Sequence, residues 1–383
     1  MPDHNPPAAD PFAADTLVIE MVRRFAQERL APHAAEREKA GRIEQEVIRE
    51  LGELGVFGAT TPEQWGGSAI DPVTYALVLE EIAAGDGAVS TMVSVHNSPT
   101  CIVIDHYGTD AQKDHWLRPL ASGEAVGSFG LTEPQAGSDA SNLRTRAVKN
   151  GDRYVINGAK QFISNAALPG SAVLFAVTDP AAGKKGLSCF VVDKATPGFS
   201  IARKEEKLGQ KASDTCALSF DDMEVPEDQR IGAEGEGYRI ALSTLESGRI
   251  GIAAQSVGMA RAALDYAVEY AKERKAFGGR IIDFQAVGFR LVDAKTRLEA
   301  ARQMTLHAAR LKAAGQPAIE AACMAKLFAS EAAEAVCTAA IQTLGGYGYL
   351  ADYPVERIYR DVRVCQIYEG TSDVQKLILQ RML

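Results

Sequence analysis

The chain has little of what most small catalytic motifs need. Its six cysteines, Cys101, Cys189, Cys216, Cys323, Cys337 and Cys365, are scattered with no CxxC pair. They offer neither a zinc knuckle nor a redox dithiol, and they read as reduced, buried small hydrophobes. The six histidines form no HExxH and no mixed Cys/His spacing, so no metal site is expected. No GxGxxG follows a strand-like run, and no GxxxxGK precedes a Ser or Thr, which disfavours a Rossmann dinucleotide site and a P-loop NTPase. Positive charge is in deficit: 41 Lys and Arg against 50 Asp and Glu leave a net charge of -9. That balance argues against a nucleic-acid surface, which needs clustered cations. No apolar run is long enough to span a bilayer. The N-terminus, with Asp3, Asp10, Asp15 and several prolines, resembles neither a signal peptide nor an Arg-rich transit peptide, so a cytoplasmic location is expected. Its first dozen residues read as a frayed arm. There is no internal repeat and no low-complexity tract.

What is present is an ordinary globular composition, 46% hydrophobic and 24% charged over 383 residues, enough for two or three domains. Texture divides the chain at about 1–124, 125–236 and 237–383. In the first region Val22 to Leu30 carries apolar residues at helical spacing, with Pro32 placed to end that helix. Val47 to Leu54 repeats the pattern with Gly55 as its stop, Trp65 to Ser68 is a loop, and Tyr75 to Leu79 opens a buried helix. In the second region Asn157-Gly158 lies between β-prone runs and predicts a hairpin turn. Val173–Val177, Leu187–Val192 and Cys216–Phe220 are further strands, and their spacing suggests a compact β-barrel or sandwich. In the third, amphipathic stretches over Ile250–Arg274, Ile281–Ala314 and Ala318–Leu344 imply an antiparallel bundle. The fold class is therefore α+β in three parts: all-α, β-barrel or sandwich, and a four-helix bundle.

The most informative stretch is Gln366-Ile367-Tyr368-Glu369-Gly370-Thr371-Ser372. Thr371 and Ser372 are N-cap residues for an amphipathic helix that begins near Val374. Glu369 would sit just outside that helix, with Gly370 leaving room for a ligand. That is a suitable place for a general base, although a lone Glu before a helix commonly does no more than favour the helix dipole.

Four more motifs precede it in order: Thr132-Glu133-Pro134-Gln135-Ala136-Gly137-Ser138-Asp139, Phe162-Ile163-Ser164-Asn165, Arg274-Lys275-Ala276-Phe277-Gly278 and Leu344-Gly345-Gly346-Tyr347-Gly348-Tyr349. Together the five resemble the acyl-CoA dehydrogenase family over essentially the whole chain. Gly248 to Ala253 and Arg360 to Arg363 bring the likeness closest to the short-chain, butyryl-type branch. The resemblance implies FAD as cofactor and α,β-dehydrogenation of an acyl-CoA to the trans-2-enoyl-CoA. Glu369 would take the α-proton while the β-hydrogen leaves as hydride to flavin N5. The enolate oxygen would be held by the Glu369 backbone N–H and a flavin hydroxyl. Some branches carry the base at the position of Gly248, which cannot serve here.

The same resemblance places Phe129, Leu131, Thr132 and Ser138 along the isoalloxazine, with Ser138 also near CoA. Phe162, Ile163 and Ser164 would cover the flavin, with Phe162 where many relatives have Trp and Gln135 where glycine is more usual. Thr371 and Asp373 join them as cofactor residues, and Glu246, Arg249, Tyr368, Gly370 and Arg381 as substrate residues. Arg274, Phe277, Gln285, Gln342, Gly345 and Gly346 would reach the FAD of a neighbouring subunit in a homotetramer built as a dimer of dimers. An electron-transfer flavoprotein is the implied electron acceptor. Chain-length preference would be set around Ser90 to Ile104 and Ile240 to Ile252, where one methylene is worth about 1–3 kcal/mol. Two other readings are an acyl-CoA oxidase, disfavoured by the compact length, and a non-catalytic relative that binds acyl-CoA or DNA, disfavoured by the acidic charge and the intact Glu369.

Overall fold

A computed structural model describes residues 14–383, so the expected frayed arm lies outside the described residues. Seven helices come first: α1 (Thr16–Phe25), α2 (Ala34–Ala40), α3 (Gln45–Glu53), α4 (Pro72–Gly85), α5 (Gly87–Val95), α6 (Ile102–Tyr107) and α7 (Asp110–Ala121). Asp15, Asp71, Asp86 and Thr109 cap α1, α4, α5 and α7 by accepting backbone N–H groups, as orphan donors at a helix start require. Gly55 follows α3 in the left-handed conformation, as its position implied. The stretch Tyr75–Leu79 is buried on all sides within α4. Pro32 does not stop the chain's helical course. A wide turn over Ala26–Leu30 and a tight turn over Ala31–His33 carry it straight into α2, because the proline sits near a turn's start where its missing N–H is tolerated.

Eight strands follow: β1 (Ser128–Gly130), β2 (Arg146–Asn150), β3 (Arg153–Ser164), β4 (Ser171–Val177), β5 (Leu187–Asp193), β6 (Phe199–Lys204), β7 (Thr215–Pro226) and β8 (Arg230–Ile231). They form one sheet in the order β6-β7-β3-β2-β4-β5-β8, with β1 parallel to β4. Alternate residues of β4 and β5 serve two cores. Leu174, Phe190 and Val192 meet Tyr154, Ile156, Leu218 and Phe220 of the β3–β7 half, while Val173, Phe175 and Val191 meet Leu117 and Leu120 of α7. This is the expected compact β unit, its two halves sharing a core.

The hairpin turn is not at Asn157-Gly158. Both residues lie inside β3, and β2 turns into β3 around Gly151, whose φ is 65°. Asn157 instead exchanges two hydrogen bonds with Asp222 of β7 (Nδ2 to Oδ1 2.9 Å, and Asp222 N to Oδ1 2.8 Å), and the ladder slips by a residue there. A Cβ on Gly158 would come within 2.6 Å of the Thr145 hydroxyl, so the glycine marks a bulge with close approach.

The last region holds α8 (Gly237–Glu273), α9 (Gln285–Ala313), α10 (Ile319–Leu344), α11 (Pro354–Val362) and α12 (Ser372–Gln380). The first of these starts upstream of the expected Ile250, because Gly237 to Gly248 continues the helix under the sheet. The second starts at Gln285, after a tight turn over Ile281–Asp283. α10 packs against α8, α9, α11 and α12, and α4 crosses α8 to tie the first and last regions together. All six cysteines are buried and free. No helix among the described residues is long and apolar enough to cross a membrane.

The α4–α8 crossing is close because Gly258 faces α4 backbone: a Cβ there would lie 2.1 Å from the Glu80 carbonyl oxygen. Gly258→Ala must therefore separate the helices, and overpacking of this kind costs about 1–3 kcal/mol. Thermal unfolding should show a lowered midpoint, and an unchanged midpoint would mean that the crossing is not tight.

Candidate active site

The site is a cavity of about 880 Å³ where the three regions meet, closed by α5, β1, the end of β3, α8 and the loop before α12. Two local devices shape its sheet side. A buried ion pair fixes the chain beyond β1: Lys160 Nζ lies 2.8 Å from Glu133 Oε1 and donates to the Leu131 carbonyl at 3.2 Å. The same carboxylate accepts the backbone N–H groups of Arg144 (2.6 Å) and Thr145 (3.1 Å), so the segment Leu131-Thr132-Glu133 cannot drift. At the end of β3 a slip between Lys160 and Ile163 puts Phe162 in the left-handed region, at φ 61°. The bulge turns the Phe162 ring out of the sheet onto the cavity wall, where it is 63% exposed.

On the helical side Glu369 occupies a left-handed position, φ 54°, followed by Gly370 at 88°. Its carboxylate rests against the bare Cα of Gly248 in α8: a Cβ there would lie 2.6 Å from Oε2. That oxygen is buried and has no hydrogen-bond partner among the described residues. Burial pushes the Glu369 carboxyl up to about 7, while the Arg249 guanidinium and the Lys326 ammonium pull it back. The Glu369 backbone N–H donates to no described residue. Tyr368 donates to Gln255 Oε1 at 2.8 Å, while the Gln255 amide nitrogen and the Arg249 Nε are buried with no partner among the described residues.

Of the residues singled out in the sequence, the structure gathers Phe129, Leu131, Thr132, Ser138, Phe162, Ile163, Ser164, Arg249, Tyr368, Glu369, Gly370 and Arg381 around this cavity. Thr371 does not line it; its hydroxyl caps α12 by accepting the Val374 N–H at 3.2 Å, with Asp373 in the first turn. Glu246 faces away and pairs with Lys312 at 3.3 Å. Arg274, Gly345 and Gly346 line a separate cavity of about 480 Å³ with Tyr270 and Tyr347. The Arg274 guanidinium sits 5.5 Å above the Tyr347 ring. Phe277 is 99% exposed, and Gln285 and Gln342 are exposed as well. Thr91 lies in the Ser90 to Ile104 stretch expected to bound the acyl chain, but sequence reasoning missed Gln255, Lys326 and Gln375, because a polar residue inside a helix carries no sign of being buried until its neighbours are placed.

A helical, sheet and helical-bundle enzyme with one buried carboxylate facing a composite cavity is the class these features define. Family models for the acyl-CoA dehydrogenase N-terminal, middle and C-terminal domains match residues 13–124, 128–223 and 235–383. The chain is similar to an acyl-CoA dehydrogenase of Bacillus subtilis, 46% identical over 96% of this chain and 97% of that one. It resembles the solved butyryl-CoA dehydrogenase of Megasphaera elsdenii with a TM-score of 0.94, 41% identity, and coverage of 100% of this chain and 99% of the other. A structure described as the electron transferring flavoprotein of Acidaminococcus fermentans matches with a TM-score of 0.94 and 43% identity over 100% and 99% of the two chains. The chain belongs to the acyl-CoA dehydrogenase family, FAD-dependent oxidoreductases that act on acyl-CoA thioesters.

The residues present fit that cofactor. A flat, apolar ring system would cover the exposed face of Phe162, and the Thr132 segment is held rigid beside it.

Because the Glu369 carboxylate rests on Gly248, Gly248→Ala must displace it. The clash falls on the far end of a flexible side chain, so the unfolding midpoint should stay within a few degrees of wild type. Misplacing a reacting group by about 1 Å can cost about 100-fold, so kcat should fall by about 10- to 100-fold where Glu369 is such a group. Wild-type turnover in Gly248→Ala would show that the carboxylate does not need this contact.

Proposed function

We propose that this protein oxidises short-chain acyl-CoA thioesters to trans-2-enoyl-CoA, with Glu369 as the α-proton base. The observation that carries the reading is the Glu369 carboxylate, buried at the cavity wall with Oε2 lacking a hydrogen-bond partner among the described residues; burial pushes it up toward the range in which a base works best. An α-proton of a thioester is a weak acid, so the enolate oxygen needs a donor, and the free backbone N–H of Glu369 is suited to that task. Arg249 keeps the carboxylate from being wholly protonated. When bound, FAD supplies the acceptor for the β-hydrogen, which departs with its electron pair as hydride. Phe129, Leu131, Thr132, Phe162, Ile163 and Ser164 would hold it, and Ser138, Tyr368, Gly370 and Arg381 would contact the thioester and its CoA portion. Thr91, Ser94, Val95 and Pro99 on one side and Leu242, Leu245 and Ile252 on the other would bound the acyl chain.

Arg274, Phe277, Gln285, Gln342, Gly345 and Gly346 lie outside this cavity. Their exposure supports a role at a neighbouring subunit's FAD, and a tetramer is the corresponding assembly. Glu246, tied to Lys312, and Thr371 and Asp373, at the α12 start, would act from the margin of the site. Electrons would pass to an electron-transfer flavoprotein, the protein described for one of the matching structures.

Butyryl-CoA added anaerobically should bleach the flavin band of the holoenzyme, and Glu369→Gln should bind FAD but not bleach. Bleaching in Glu369→Gln would remove the base assignment, and bleaching only with longer or branched thioesters would correct the substrate. The active form is the carboxylate, so kcat/KM should fall about tenfold per pH unit below about pH 7 and level off above it. In the folded state the Glu369 carboxyl is raised above its unfolded value, so stability is lost as pH rises through about 7. Glu369→Gln should therefore gain on wild type in unfolding midpoint at high pH but not at low pH.

A further inference from the structure

We propose that Lys326 and Gln375 form a clamp that positions the base, by holding the carbonyls of Glu369 and Gly370 so that a left-handed turn aims the Glu369 carboxylate into the cavity. The inference rests on reading Glu369 as the base. Two consecutive residues of positive φ, one of them not glycine, are not a conformation the chain adopts unaided. Something must hold them, and two side chains from different helices do so.

Lys326, in the middle of α10, is fully buried and donates from Nζ to the Gly370 carbonyl at 2.7 Å. Gln375, one turn into α12 and equally buried, donates from Nε2 to the Glu369 carbonyl at 3.1 Å and to the Gly370 carbonyl at 2.9 Å. The contact explains Gly370: a Cβ there would come within 2.8 Å of the Gln375 amide nitrogen. An ammonium buried with one neutral acceptor is costly, and an apolar side chain of the same length would fill the space more cheaply. Among the described residues, the one hydrogen bond the ammonium makes goes to the loop, at the Gly370 carbonyl.

The charge acts as well as the hydrogen bond. The charged groups facing Glu369 are Arg249 of α8 and Lys326 of α10, and Cys323 and Cys365 are the other titratable groups beside the ammonium. Burial lowers the Lys326 ammonium to about 8, with Cys365 and Glu369 opposing that fall. The clamp therefore fixes where the carboxylate points and favours its ionised form. Lys326 and Gln375 are positioning residues; neither lines the cavity.

The test compares Lys326→Met, Lys326→Gln and Gln375→Met holoenzymes with wild type across pH, with Glu369→Gln alongside. Lys326→Met should lower kcat by about 10- to 100-fold with KM changed little, the scale of a misplaced reacting group. It should also move the acidic limb of kcat/KM to higher pH, because the cation that favours the carboxylate is gone. Lys326→Gln keeps a donor without charge, so it should recover part of kcat while the limb stays displaced. Gln375→Met should lower kcat and leave the limb in place, and it carries the test if Lys326→Met does not fold. Variants that lose only unfolding temperature, with kcat and the pH limb unchanged, would overturn the clamp. Turnover in Glu369→Gln would instead overturn the base assignment itself.

Discussion

The site is organised around a carboxylate that must stay ionisable while being kept from every hydrogen-bond donor that would satisfy it. A carboxylate partnered by two or three donors is stable and a poor base, whereas one buried alone is driven to protonate. Glu369 is placed between these limits. Its Oε2 rests on the Cα of Gly248 with no hydrogen-bond partner among the described residues, and two cations, Arg249 and Lys326, act on it through space. No single helix could arrange this. The glycine and the arginine come from α8, the ammonium from α10, and the glutamate from the loop between α11 and α12.

Packing around that carboxylate explains features that look unrelated. Gly258 lets α4 and α8 cross closely, which brings α5 and its cavity-lining residues against the part of α8 that faces Glu369. The buried Lys160–Glu133 pair is costly on its own, yet it holds the chain after β1 at the opposite wall. The bulge beside Ile163 turns one aromatic ring from the sheet's interior to the cavity. Each device spends stability locally and is supported by the large shared cores on either side of the sheet.

Two of the cavities, about 880 Å³ at Glu369 and about 480 Å³ at Arg274, divide the motifs between them. The motif residues of the second group are polar, aromatic or glycine and lie at an exposed end of the bundle.

The sheet-side wall was readable only through likeness to the family's motifs, whereas the sequence alone determined the three-part order, the helix cap at Thr371 and the glutamate beside it. These rest on local signals: periodicity, caps and short motifs, each readable within a dozen residues. It misplaced the hairpin, because Asn157-Gly158 has the composition of a turn and only pairing with Asp222 of β7 makes it a bulge. It could not show that Glu246 pairs with Lys312, 66 residues away in the chain. Tertiary structure alone decided that Gly248 would touch the Glu369 carboxylate and that Lys326 and Gln375 would grip its loop. Those contacts join residues distant in sequence, and a buried lysine in a helix looks like a solvated one until the neighbouring helices remove its water.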